Sequence, residues 1–224
     1  DAFDDIIQTL DQHYLYSIFH SVFWTNTSGT SPNPFTQITS SDVKTGKWRP
    51  SCPTIEMRDY VIGYLTALEA KGKSHTIWPD HCLISGWGSN AAEAFYKSKL
   101  NWERKNLAYA FAVSKGSQIL CEHYGALQAE IPLSSDPTTQ LNSSIIDMLA
   151  DPLVYDIAVG GLALDYCLST TLRQVHENFG DDFVKKFVLL EDATASINPK
   201  AGEDFINEFV AKGMRLSTTD KYLA

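Results

Sequence analysis

Residues 154–167 read Val-Tyr-Asp-Ile-Ala-Val-Gly-Gly-Leu-Ala-Leu-Asp-Tyr-Cys, an apolar run that breaks at a glycine pair and passes into a helical pattern. Residues 154–159 have the composition of a buried strand, and 165–179 carry a helical period. A strand, a tight turn of small residues and a helix in that order are the repeating piece of an α/β protein. The same alternation extends in both directions. Strands are predicted at 6–10, 75–78, 108–113 and 187–190, and helices at 54–70, 90–104, 139–150 and 202–212. Most of these strands are apolar throughout instead of alternating, as expected where helices cover both faces of a parallel sheet. The predicted fold class is therefore α/β, a three-layer α/β/α sandwich with a mainly parallel, doubly wound sheet.

The chain has 224 residues, 44% of them hydrophobic and 20% charged, which suits one core and predicts a single domain over 1–224. Eighteen Lys and Arg against 27 Asp and Glu give a formal charge of −9, the wrong sign for a surface that neutralises phosphates, so no nucleic-acid partner is expected. No apolar run approaches the roughly 18 to 20 residues of a membrane span, and no membrane partner is expected either. Cys52, Cys82, Cys121 and Cys167 are widely spaced and form no CxxC pair, which predicts reduced thiols and an intracellular setting, cytoplasm or organelle matrix. The stretch 24–53 is rich in Ser, Thr, Pro, Asn and Gly without a sustained period and reads as a long loop insertion. Such loops serve as lids or oligomer contacts, or simply run over the surface, and both readings stand.

In open parallel sheets ligands bind beyond the carboxyl ends of the strands. Those positions here are rich in reactive groups: Asp11-Gln12-His13 with His20 following, Trp78-Pro79-Asp80-His81-Cys82, Lys115-Gly116, and Gly160 through Cys167. Asp11, His13 and His81 offer one oxygen and two imidazole nitrogens, a donor set suited to Zn²⁺, Fe²⁺ or Mn²⁺. His20 is either a further ligand or a packed, hydrogen-bonded core residue. Cys167 falls at a helix amino terminus, where the dipole and backbone N–H groups lower a thiol's pKa; a buried structural cysteine is the other reading. Lys115 would stand at the same rim, able to stabilise a thiolate or developing negative charge. Trp78 and Tyr124 are candidate walls of a flat pocket, or else core.

Taken in order and spacing, Asp11-Gln12-His13, Trp78-Pro79-Asp80-His81-Cys82, Lys115-Gly116 with Tyr124, and Gly161-Leu162-Ala163-Leu164-Asp165-Tyr166-Cys167 resemble the isochorismatase-like cysteine hydrolases, in particular the nicotinamidase/pyrazinamidase branch. The resemblance runs over about 6–212. It implies one divalent transition metal (Zn, Fe or Mn) on Asp11, His13 and His81, with His20 near the position of a further ligand. It implies Cys167 as nucleophile, Lys115 as the basic member of the catalytic set, and a cis peptide between Leu162 and Ala163. An oxyanion hole from the N–H groups of Ala163 and Cys167, and Trp78 as the aromatic wall, complete the implied site. The implied activity is hydrolysis of nicotinamide, or a similar small amide, to the acid and ammonia through a Cys thioester, as in NAD salvage.

The chain also departs from that pattern. The family opens with a strand ending in an aspartate that takes the thiol proton, and the resemblance begins after that strand and its helix; Asp1, Asp4 and Asp5 precede the strand at 6–10 and do not fit the role. The expectation is that the missing N-terminal strand is supplied upstream or by a partner segment, and a homo-oligomer is the other expected assembly. Two alternatives to a nicotinamidase follow. One is a hydrolase of another amide or ureide on the same scaffold. The other is a catalytically degenerate scaffold serving as a structural or assembly subunit.

Overall fold

The computed structural model describes residues 3–222, which fall into two compact units. The N-terminal unit comprises 3–122 and 130–139. It begins with β1 (Ile7–Asp11), then β2 (Trp24–Thr25), β3 (Gln37–Ile38), α1 (Ser40–Lys44) and β4 (Arg49–Pro50). It continues with α2 (Ile55–Ala70), β5 (His75–Thr76), α3 (Glu93–Asn106) and β6 (Phe111–Lys115). β1 and β6 run parallel with Ile7 opposite Phe111 and Asp11 opposite Lys115, so both strands end at the same edge. β2 pairs with β4 and β3 with β5, each antiparallel over two residues.

α2 starts where Thr54 accepts a hydrogen bond from the Met57 N–H, satisfying one of the helix's open donors. Its buried residues Val61, Tyr64, Leu65 and Leu68 repeat at helical spacing and form one apolar face. The core of this unit includes Ile18, Phe19, Phe23, Trp24, Ile38, Val43 and Ile77. The stretch 24–53, read from sequence as a loop, contains three of the short strands and the one-turn helix α1, which is closed by a reciprocal Thr39–Asp42 capping box. The predicted strand 75–78 is shorter than expected and joins no parallel ladder; only His75–Thr76 is strand, paired antiparallel with β3.

The C-terminal unit comprises 123–129 and 140–222 of the described residues. Its elements are α4 (Ser143–Ala150), β7 (Ile157–Leu162), a π-helical turn (Leu164–Leu168) running directly into α5 (Ser169–Phe179), and α6 (Asp181–Val184). Next come β8 (Phe187–Ala195), α7 (Pro199–Ala211), β9 (Arg215–Ser217) and α8 (Thr219–Tyr222). The sheet order is β7-β8-β9, all parallel. Its core is built from Phe187, Val188 and Leu189 of β8 with Leu172, Val175, Phe205, Phe209 and Met214. α7 begins three residues earlier than the sequence reading placed it, at an Asn198 cap followed by Pro199, a strong start signal. Both units combine helices with parallel sheet segments, the N-terminal one adding two short antiparallel pairs, in keeping with the predicted α/β class. No helix among the described residues is long and apolar enough to cross a membrane.

His75 gives the N-terminal unit a defined acid sensitivity. Its Nε2 donates to the Ile18 carbonyl at 2.9 Å, while Nδ1 is buried without a hydrogen-bond partner among the described residues. Burial, opposed by that carbonyl, draws the imidazole pKa down to about 4 from 6.5. Between those values the unfolded chain takes up the proton and the folded one does not. The stability His75 permits is therefore complete above about pH 6.5 and is lost as pH falls toward 4. Urea unfolding near neutral pH and near pH 4.5 should show His75→Gln losing roughly 2 to 3 kcal/mol less than the wild type over that range.

Candidate active site

The parallel register of β1 and β6 sets Asp11 beside Lys115, and the ammonium Nζ lies 2.5 Å from Asp11 Oδ1. Lys115 is buried, with 4% of its side chain exposed, so its charge is held in the protein interior next to a carboxylate. Beyond the strand, the Gln12 N–H donates to the Lys115 carbonyl and the His13 N–H to the Cys82 carbonyl, and Ile84 N–H donates back to His13. This one-residue parallel bridge between His13 and Leu83 brings the segment carrying His81 against the end of β1. The rings of His13 and His81 lie 4.7 Å apart between centroids.

His13 is fixed by its other nitrogen. Nδ1 donates to the Gly116 carbonyl at 2.9 Å, which leaves Nε2 as the acceptor nitrogen, 3.9 Å from Asp11 Oδ2. Gly116 has φ +81°, and a β-carbon there would come within 2.3 Å of His13 Cε1. Only glycine permits both the turn and the approach of the imidazole. Asp11, His13 and His81 therefore each present a ligand atom, all within 4.8 Å of one another, and could hold a metal ion. One carboxylate and two imidazoles fit a divalent transition metal. His13 suits the role further because burial pulls its pKa down to about 4, against the Gly116 carbonyl and the Asp11 charge, so it is neutral at pH 7. Burial alone would raise the Asp11 carboxyl, but the Lys115 ammonium and the neighbouring histidines outweigh it and hold it below the usual carboxylate range.

His20 is not one of the three grouped donors. Its Nδ1 donates to the Leu15 carbonyl at 3.0 Å and its Nε2 is 3.4 Å from His81 Nδ1, which itself donates to the Pro79 carbonyl at 2.8 Å. It stands behind His81, buried at the isolated bridge it forms with Trp78. Trp78 is 8% exposed, its ring edge-on to Phe35. A feature the sequence reading missed is Trp87, 93% exposed, which with Asp80, His81, Cys82, Leu83, Gly86 and Gly88 lines a cleft of about 440 Å³. Its only signal was the Gly86-Trp87-Gly88 triplet. Cys82 beside it is a poor nucleophile, since burial and the Asp11 carboxylate raise its thiol against the opposing Lys115 charge.

The second group belongs to the C-terminal unit. β7 ends at Leu162, the Leu162–Ala163 peptide is cis, and the Ala163 carbonyl accepts from the N–H groups of both Tyr166 and Leu168. Cys167, part-exposed, sits in the π-helical turn that opens the helical run into α5, a feature that recurs at functional sites. Asp165, named in the sequence only as part of the motif, anchors this turn: its carboxylate accepts from Ile197 N–H at 3.0 Å and Asn198 N–H at 2.7 Å. Tyr124 lies in the same unit, its ring 5.5 Å from that of Tyr166, next to Cys167 in sequence. Lys115 and Cys167 belong to different units.

No family model matches the sequence, and no curated protein matches it. Solved structures share its fold. One is an Acinetobacter baumanii nicotinamidase pyrazinamidase, 18% identical over 99% of this chain and 81% of that one, with a TM-score of 0.58. Another is the yeast nicotinamidase bound to the inhibitor nicotinaldehyde, 16% identical over 96% of this chain and 80% of that one, with a TM-score of 0.60. At these identities the likeness establishes the fold.

Protein purified without chelator should carry about one Zn, Fe or Mn per chain by elemental analysis, and His81→Ala should carry little or none. Gly116→Ala should also lose metal, because the added methyl displaces the His13 ring. Undiminished metal in His81→Ala would show that the ligands lie elsewhere.

Proposed function

We propose that the protein is a metal-assisted cysteine amidohydrolase of nicotinamidase type, converting nicotinamide or a similar small planar amide to the acid and ammonia. The observation that carries the reading is the Asp11–His13–His81 group set beside a buried lysine, in a chain with the fold of nicotinamidases. The turn around Cys167 supports it from the other end of the sequence.

In this reading the Cys167 thiolate attacks the amide carbon. A C–S bond forms, and the carbonyl π electrons move to oxygen, where the N–H groups of Ala163 and Cys167 serve as the oxyanion hole. Collapse of the tetrahedral adduct breaks the C–N bond, and the proton given up by the thiol leaves with ammonia. Water then cleaves the thioester, releasing the acid and restoring the thiol. Lys115 supplies positive charge that favours the thiolate and the oxyanion. A divalent metal held by Asp11, His13 and His81 supplies Lewis-acid polarisation. Trp78 is assigned to the aromatic wall for the ring of the substrate.

Ammonia release across nicotinamide, pyrazinamide, carbamoyl and maleamate-type amides should be fastest with a pyridine or pyrazine carboxamide, and Cys167→Ala should lower the rate by about a thousandfold or more. Brief iodoacetamide treatment near neutral pH should label Cys167 roughly tenfold faster than the exposed Cys52, and leave Cys121, whose thiol burial pushes up to about 12, unlabelled. A preference for another amide would move the substrate assignment. No turnover on any of them with metal bound would leave the structural-subunit reading in its place.

A further inference from the structure

Asp11 divides its two oxygens between different partners. Oδ1 takes the Lys115 ammonium at 2.5 Å, and Oδ2 lies on the His13 side, 3.9 Å from Nε2. The division is built into the strands, since the β1–β6 register places Asp11 directly opposite Lys115 and the Gly116 carbonyl holds the His13 ring. We infer that Lys115 is a positioning residue for the metal group: it keeps the Asp11 carboxylate to one-oxygen service and, by its charge, lowers the affinity of the group for a divalent cation. This rests on the reading of Asp11, His13 and His81 as the ligands.

The charge count gives the direction. Asp11 contributes one negative charge and the buried ammonium beside it one positive charge. The Asp11–Lys115 pair is thus already balanced before a cation arrives. A divalent ion then adds two positive charges beside a buried ammonium, and the repulsion is weakly screened at 4% exposure. Removing the ammonium should therefore act oppositely on two properties. Without a cation, Asp11 loses the ammonium's counter-charge and the fold is weakened; with one, the carboxylate no longer shares its charge with an ammonium and binding tightens.

The test is a Co²⁺ titration of the full chain followed by its visible absorption, with urea unfolding of the metal-free protein in parallel, for the wild type and for Lys115→Gln, Lys115→Met and Lys115→Arg. Lys115→Gln can still donate to Asp11 without carrying charge, so it remains informative if Lys115→Met does not fold. Both neutral variants that fold should bind Co²⁺ about tenfold or more tightly than the wild type while unfolding at lower urea in the metal-free state, and Lys115→Arg should stay within roughly threefold of wild-type affinity. A role confined to holding the fold would weaken both properties together. Equal or weaker Co²⁺ binding by Lys115→Gln overturns the inference while leaving the ligand assignment standing. A wild type that takes up no Co²⁺, or a His81→Ala variant that takes it up as well as the wild type, removes the ligand assignment and the inference with it.

Discussion

The N-terminal site depends on one pairing, a buried lysine answered by an aspartate across two parallel strands. An ammonium taken out of water needs a carboxylate at close range, and the β1–β6 register supplies one by placing Lys115 and Asp11 at the same level where both strands end. From that point the backbone does the rest. Gly116, directly after Lys115, turns with positive φ and presents its carbonyl to His13, two residues past Asp11. His13 then donates to the Cys82 carbonyl and accepts from the Ile84 N–H, which brings in the segment carrying His81. A short chain of local constraints thus converts one strand pair into a three-donor group.

The C-terminal unit places Cys167 by a different device. Cys167 is carried by a turn instead of a strand end, and the turn is held from several sides. Asp165 binds the two N–H groups ahead of α7, the Ala163 carbonyl takes two donors, and the Thr171 hydroxyl donates to the Cys167 carbonyl at 2.7 Å. One turn further along α5, Gln174 accepts from Leu127 N–H and donates to the Gln128 carbonyl, tying the Tyr124 segment to the same helix. Gly125 faces that amide so closely that a β-carbon would fall 2.1 Å from Gln174 Oε1.

Much of this was legible in the sequence because it rests on local signals. Apolar runs marked β1, β6, β7 and β8 but not the short β9, residues 54–70 marked α2, and the small residues before Cys167 marked a tight turn whose Leu162–Ala163 peptide is indeed cis. What was not legible depends on partners distant in sequence. Nothing local distinguishes a strand in a parallel ladder from His75–Thr76, which pairs antiparallel with β3. The polar composition of 24–53 concealed short strands that exist only through their pairing. The sequence left His20 open between a further ligand and a packed core residue, and its carbonyl partner at Leu15 and its place behind His81 set it apart from the three grouped donors. The direct Asp11–Lys115 contact required the β1–β6 register, which periodicity does not encode.

Thiol chemistry shows the same dependence on surroundings. Cys121 is buried near Glu122, Asp136 and Glu130, and desolvation together with those charges raises its pKa to about 12. Cys82 borders the Asp11–His13–His81 group, but burial and the Asp11 carboxylate raise it as well. Both are placed where a thiolate is costly, so both stay protonated near neutral pH. Cys167 has the opposite placement, part-exposed in the opening turn of a helical run where the dipole favours negative charge.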